Sequence, residues 1–478
     1  MHTTRTMRSR AQQRLLSRTA LLLGAALALV FATTLIAAVE SASAASGDEM
    51  WRKSYDGGAG EDDRAADLVF APKGYFYVVG SVVRTAGGNA NITVLRYSKA
   101  GSRRWIRRYD GPAHEKDVAS AAVCDGAGNI YVTGYTVRGV YNVDLVLIKY
   151  SPRGKRLWLR TWDSAKHGDD SGLRIALDGA GNVYVAGNSG NDPADPIGHD
   201  IKLFKYDRYG HRKWVRSYDP GVGMYCDPSG LVVDKKRGRV FLGAEIDTPG
   251  AGWQWLAARY STSGTRRWLH LWGSVDSDQA QALALGPDGS VYQAGAATVV
   301  ASHYFDAAII RWTAGGVIAS GWPRTVNGPG DGNDHFYDVT VDRFGKVRAI
   351  GDLNSAGTGD NACAYCLSSA GATLWSDTYY HAGAQTLWKV AIDAAGNTYA
   401  GGYSNESGAN PAYLVMKWGS TGAWSWTRTA KESTTVTTGT DTLQALGWRG
   451  GSYKGLYVTG NGDGDTTNWD IFTIRFEP

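Results

Sequence analysis

The stretch Asp117–Trp158 reads DVASAAVCDGAGNIYVTGYTVRGVYNVDLVLIKYSPRGKRLW, and its layout decides the fold. Asp117 opens an apolar run that ends at Cys124, predicted as strand A. Asp125-Gly126-Ala127-Gly128-Asn129 is a hairpin turn, because Asp, Gly and Asn tolerate or create the backbone angles a tight turn needs. Ile130–Gly134 is predicted as strand B, and a polar loop follows. Asp144–Tyr150 is predicted as strand C. Ser151–Gly154 turns again, and Trp158 opens strand D, ending near Trp162.

The unit repeats along the whole chain. Trp51, Trp105, Trp158, Trp214, Trp268, Trp322, Trp375 and Trp426 are spaced 54, 53, 56, 54, 54, 53 and 51 residues apart. Gly101, Gly154, Gly210, Gly264, Gly371 and Gly422 stand four residues before their tryptophans, and Gly316 six before Trp322. The strand B tyrosine recurs at Tyr77, Tyr131, Tyr184, Tyr292, Tyr399 and Tyr457, with Phe241 and Arg348 in the remaining slots. Eight copies of a unit too small to bury its own apolar faces must stack on one another. Strand C is apolar on both sides in most copies, so each sheet must be covered on both faces.

Four-stranded sheets of this kind close radially into a β-propeller. The phase of the chain supports closure. Trp51–Tyr55 reads as strand D, whereas Asp470–Phe476 at the other end reads as strand C. The fold expected is therefore all-β: a single eight-bladed propeller of four-stranded antiparallel blades. The N-terminal strand pairs with the C-terminal blade and removes an open, association-prone edge. Blade 4 (Cys226 to Trp268) and blade 6 (Asp334 to Trp375) depart furthest from the consensus.

The units D-x-A…D-x-x-G-N-x-Y-V-x-G…D-x-x-x-x-K-Y-x-x-x-G-x-x-x-W resemble the bacterial propeller repeats known as SBBP repeats, over residues 51–478 and most closely over 117–214. The resemblance implies an exported bacterial propeller and carries over no catalytic residue. The family's repeats are named for seven blades, whereas eight units are counted here. The G-x-x-x-W ending is also similar to the tryptophan-docking repeats of quinoprotein dehydrogenases. That resemblance implies tryptophans stacked between blades, but the quinoproteins' adjacent cysteine pair is missing and nothing matches their cofactor site.

The remaining features bound location and partners. Residues 1–45 hold Arg5, Arg8, Arg10, Arg14 and Arg18 against Glu40, so they contribute +4 of the chain's formal +5 and leave +1 for the rest. No basic face suggests nucleic acid. Lys235-Lys236-Arg237 with Arg239 reads as a solvated hairpin turn. The basic stretch, the apolar run Thr19–Val39 and the small residues Ala42-Ser43-Ala44 read as a signal peptide cleaved near Ala45. The run's 21 residues would also span a bilayer if retained as an anchor. The expected division is 1–45 as leader or anchor and 46–478 as propeller, secreted or at the cell surface.

Candidate site residues are sparse. Asp63, Asp117, Asp170, Asp278, Asp334 and Asp441 recur at the start of strand A, with Gln385 in the blade 7 slot and an irregular blade 4 near Asp227. If strand A is innermost, they ring a channel mouth and could hold a ligand or cation, or act in pairs as acid and base. The alternative is that each satisfies backbone N–H groups at a turn. A residue present in nearly every blade favours that alternative. Asn461, Asp463 and Asp465 place oxygens at alternate positions, as calcium loops do; a polar hairpin tip accounts for them equally well. Cys363 and Cys366 form a C-x-x-C inside a predicted strand and are read as packed residues or a local disulfide. No nucleophile elbow, phosphate loop or zinc-protease helix is found. The sequence therefore favours a non-catalytic propeller that binds an extracellular glycan or protein. The alternatives are a polysaccharide-acting enzyme using Asp117 and Asp170, or a quinone-dependent oxidoreductase.

Overall fold

In the computed structural model the chain divides into two units, Met1–Asp48 and Glu49–Pro478. The structure describes residues 47–477, apart from 140–141, 166, 193–194, 222, 249, 274–276, 299–303, 331, 358, 406–410, 431–441, 452–453 and 464–468. The run Thr19–Val39 lies outside the described residues. Among the described residues no helix is long and apolar enough to cross a membrane.

The second unit is an eight-bladed β-propeller. It has eight four-stranded sheets, and seven are built from consecutive strands. The eighth joins Glu49–Tyr55 to Trp469–Phe476, Gly455–Asp463 and Thr442–Arg449. Its outermost strand is antiparallel, pairing Trp51 with Arg475 and Tyr55 with Ile471. The strand A segments are innermost: each packs against those of both neighbouring blades, and Arg64–Phe70 against Thr442–Arg449 closes the ring.

Each element of the repeat has a local cause. In the A–B turn of blade 2, Asp125 Oδ1 accepts the N–H groups of Ala127 and Asn129 at 3.0 and 2.9 Å. Its Oδ2 accepts from Asn129 Nδ2 at 2.7 Å and Tyr131 Oη at 3.1 Å. Gly128 holds φ +87°, which L side chains avoid. Asp178 and Asp393 repeat the same four contacts. The D-x-x-G-N-x-Y motif is thus a self-contained turn.

The core lies between blades rather than within them. The described residues form eight apolar clusters, one at each junction of neighbouring blades. The ladder tryptophans latch these junctions from outside. Trp158 Nε1 and Lys149 Nζ both donate to the carbonyl of Arg208 in the next blade, at 3.2 and 3.1 Å. Trp214 and Lys205 share Thr262 O in the same way, at 3.2 and 2.7 Å. Arg160 Nε donates to Gly210 O at 2.6 Å. A Cβ on Gly210 would stand 2.9 Å from the Trp158 ring, so the glycine is required there for close approach as well as for its φ of +85°.

The strands differ from the sequence-based limits in two ways. The blade 2 B and C strands extend to Ile130–Gly139 and Asn142–Tyr150, taking up most of the supposed loop. Strand D begins at Arg156, so Trp158 is its third residue. Blades 4 and 6 are complete, and the shortened sheet is blade 5. Its outer strand is only Arg324–Val326, because Pro323 has no N–H to continue the ladder back to Trp322.

Candidate functional site

The recurrent strand A aspartates are completely buried at Asp63, Asp117, Asp170, Asp278 and Asp334. Asp441 lies outside the described residues. Asp334 shows the arrangement fully: Oδ2 accepts the N–H of Gly328 at 2.6 Å and Oδ1 that of Asn354 at 2.6 Å. The first partner is six residues back, in the D–A turn; the second is twenty ahead, where strand B runs out. Asp63 repeats both contacts, with Gly57 and Val83. Asp117 and Asp170 keep the first, with Gly111 and Ser164, and Asp278 keeps the second, with Thr298. Blade 4 puts Cys226 in the slot, its Sγ donating to His199 O at 2.6 Å. In blade 7 Gln385 Nε2 donates to Gly383 O at 2.6 Å.

Burial pushes the carboxyls of Asp63, Asp117, Asp170 and Asp334 up despite the amide donors, Asp170 and Asp334 to about 6. Asp63 rises further, to about 7, with burial leading and the charges of Asp470 and Asp56 adding to it. One oxygen from each of Asp56, Asp63 and Asp470 lies within 4.8 Å of the others, at the seam where the last blade meets the first. Asn461 stands in the same seam, but its Oδ1 accepts the N–H of Ala65 at 2.6 Å. Asp463 ends strand B of blade 8, and Asp465 lies outside the described residues.

Cys363 and Cys366 are buried free thiols on strand C of blade 6. The Lys235–Gly238 segment is the expected hairpin turn, with Arg237 Nη1 paired to Asp234 at 3.1 Å.

The central cavity, about 470 Å³, is lined by strand A residues of all eight blades. None of the five described aspartates of the predicted set lines it. Every strand A carries a β-bulge at the same place, three residues past the aspartate slot. A bulge re-aims side chains. At the residue after the bulge four blades hold Ala or Gly (Ala121, Gly230, Ala282, Ala445) and four hold charges: Asp67, Arg174, Asp338 and Lys389. Asp67 accepts the N–H groups of Leu68 at 2.7 Å and Ala122 at 2.9 Å; Asp338 accepts those of Val339 at 2.9 Å and Val390 at 3.0 Å. Burial pushes Asp67 up to about 6 and raises Asp338. Arg174 donates through Nε to Ser229 O at 3.0 Å and through Nη1 to Leu173 O at 3.1 Å. Sequence reading overlooked this belt. Its one signal was a charge where the aligned repeats hold a small residue.

A second cavity of about 570 Å³ opens on the face carrying the B–C and D–A loops, between blades 1 and 2. Arg64, Asn89, Lys116 and Tyr135 line it, and Ala66, Ser120 and Gln444 line both cavities. Arg64 also lies 4.9 Å from the ring centre of Trp469, a cation–π distance.

No protein-family profile and no curated protein matches the sequence. Among solved structures, the chain is similar to a Dyadobacter fermentans protein of unknown function (11% identity, 90% of this chain and 98% of that one, TM-score 0.42). It is also similar to the β-propeller domain of the Trilobed protease from Pyrococcus furiosus (8% identity, 74% and 93% covered, TM-score 0.42). A Bacteroides caccae protein of unknown function is similar at 10% identity, 64% and 97% covered, TM-score 0.35. These likenesses concern the fold alone.

Proposed function

We propose that this chain is an exported, non-catalytic bacterial propeller of the SBBP-repeat type that binds a cell-envelope or extracellular glycan through the loop face of the ring. The observation that carries the reading is the cavity between blades 1 and 2, where Arg64, Lys116, Asn89 and Tyr135 present charge, amide and aromatic surface together. Sugars are commonly held by such combinations of polar groups with an aromatic face. The reading is also supported by the use of the recurrent carboxylates as backbone acceptors, which leaves them poorly suited to acid–base work. The leader-like N-terminus supports export.

A glycan-array screen of residues 46–478 tests it. Saturable binding that Tyr135→Ala and Arg64→Ala weaken is the expected result. Absence of binding to any glycan, or binding indifferent to both substitutions, overturns it. Release of reducing sugar from a bound polysaccharide would favour the enzymatic alternative.

A further inference from the structure

The belt in the central cavity has an imbalance of unspent hydrogen-bonding groups. The carboxylates of Asp67 and Asp338 each already accept two backbone N–H groups. Lys389 is exposed to the cavity, and among the described residues its Nζ has no hydrogen bond or ion pair. Arg174 spends Nε and Nη1 on carbonyls and leaves Nη2 unused among the described residues. No two of these four side chains form an ion pair within 4.0 Å, although all line one cavity. Each carboxylate oxygen is already engaged by one backbone amide, whereas Lys389 Nζ and Arg174 Nη2 are unspent cationic donors, which a ligand that accepts hydrogen bonds from cations matches.

We propose that the central cavity binds a small monocarboxylate, held by Lys389 and Arg174. Lys389 and Arg174 are the groups that would meet an anion, and Asp67 and Asp338, which interact electrostatically with both, together with Asp227 and Glu245 near Arg174, restrict the ligand to a single negative charge. A metal cation fits less well, since it would face Lys389 and Arg174 and compete with backbone amides for the carboxylates. The volume of about 470 Å³ suits a sugar-acid-sized molecule. Tyr337 supplies an aromatic wall in the same belt. This site is independent of the loop-face reading: either stands if the other fails.

Titration calorimetry on the full chain with D-glucuronate, D-glucose and inorganic phosphate is the test. Glucuronate binds, glucose does not, and phosphate binds more weakly than glucuronate. Lys389→Met weakens glucuronate at least about tenfold, the loss expected for one charge-assisted hydrogen bond. Lys389→Arg retains most of the affinity. Thermal melting confirms that both variants are folded. No saturable heat with glucuronate at millimolar concentration, tighter binding of phosphate or glucose, or a Lys389→Met variant that binds normally overturns the proposal. Because the loop-face cavity also holds cations, Arg64→Ala serves as control: loss of glucuronate with Arg64→Ala but not Lys389→Met places the ligand elsewhere and counts against it.

Discussion

The indole of Trp51 lies against Gly101. A Cβ built on that glycine would stand 2.9 Å from Trp51 Cδ2, and the glycine holds φ +76°. Trp51 is in the eighth blade and Gly101 in the first, so this contact repeats at the ring closure the packing of Trp158 on Gly210 and Trp214 on Gly264 inside the ring. Closure thus uses the same indole-on-glycine packing as those junctions, although Trp51 Nε1, unlike that of Trp158 and Trp214, has no hydrogen-bond partner among the described residues. Trp51 also packs on Phe76, its ring centre 6.0 Å away and nearly parallel.

Gly101→Ala should destabilise the protein by about 1–3 kcal/mol, through a left-handed backbone angle and a displaced indole. Trp51→Ala should cost about 2–4 kcal/mol, toward the lower end of buried aromatic truncations because the ring is only partly buried. Denaturant unfolding measures both. If Trp51 is a latch and not a ligand platform, the double variant loses less than the sum of the two.

The buried carboxyls give stability an unusual pH dependence. An unfolded aspartate titrates near 3.8, whereas Asp63 is pushed up to about 7 and Asp170 and Asp334 to about 6, mainly by burial. The folded state therefore holds protons more tightly, and the stability this confers is lost as pH rises through the range 6–7. Tm should rise as pH is lowered from about 8 to about 5, and Asp63→Asn should flatten the slope. A Tm that falls over that window contradicts the burial argument.

Asp334→Ala leaves the N–H groups of Gly328 and Asn354 without their acceptor. Each unsatisfied buried donor costs about 1–3 kcal/mol, so the loss should be about 2–6 kcal/mol. Hydrogen exchange should speed up locally at Gly328 and Asn354. Unchanged exchange at both amides would show that the carboxylate is not their partner.

Cys226, Cys363 and Cys366 are buried, and burial raises all three thiols; Cys124 is half-buried and pushed up to about 12. Thiolate is the reactive form. The native protein should therefore react negligibly with a thiol reagent at neutral pH, and four thiols should appear in denaturant. Fewer than four after denaturation without reductant would mean a disulfide.

The tryptophan–glycine ladder made the ring legible because most blades repeat the same two residues at nearly the same spacing. Blade number, strand order and the placement of Trp51 in the last blade followed from it. The blade 4 slot was obscured because Cys226, not Asp227, occupies it, and strand register rather than residue type identifies the position. The approach of Asp56 to Asp63 and Asp470 depends on contacts between residues more than 400 apart, which only closure creates. The belt of Asp67, Arg174, Asp338 and Lys389 was hidden for another reason. A bulge shifts the inward face by one residue, so simple alternation along strand A assigns these side chains to the wrong side.

The central claim is that the N-terminal strand completes the eighth blade, and truncation tests it most directly. Thermal unfolding of a chain beginning at Gly47 should be compared with that of one beginning at Asp56, which lacks Glu49–Tyr55. The longer chain should melt cooperatively. The shorter should lose many degrees in Tm, or associate through the exposed edge of Trp469–Phe476, and a synthetic Glu49–Tyr55 peptide should restore part of the loss. Identical melting of the two chains would contradict the closed ring.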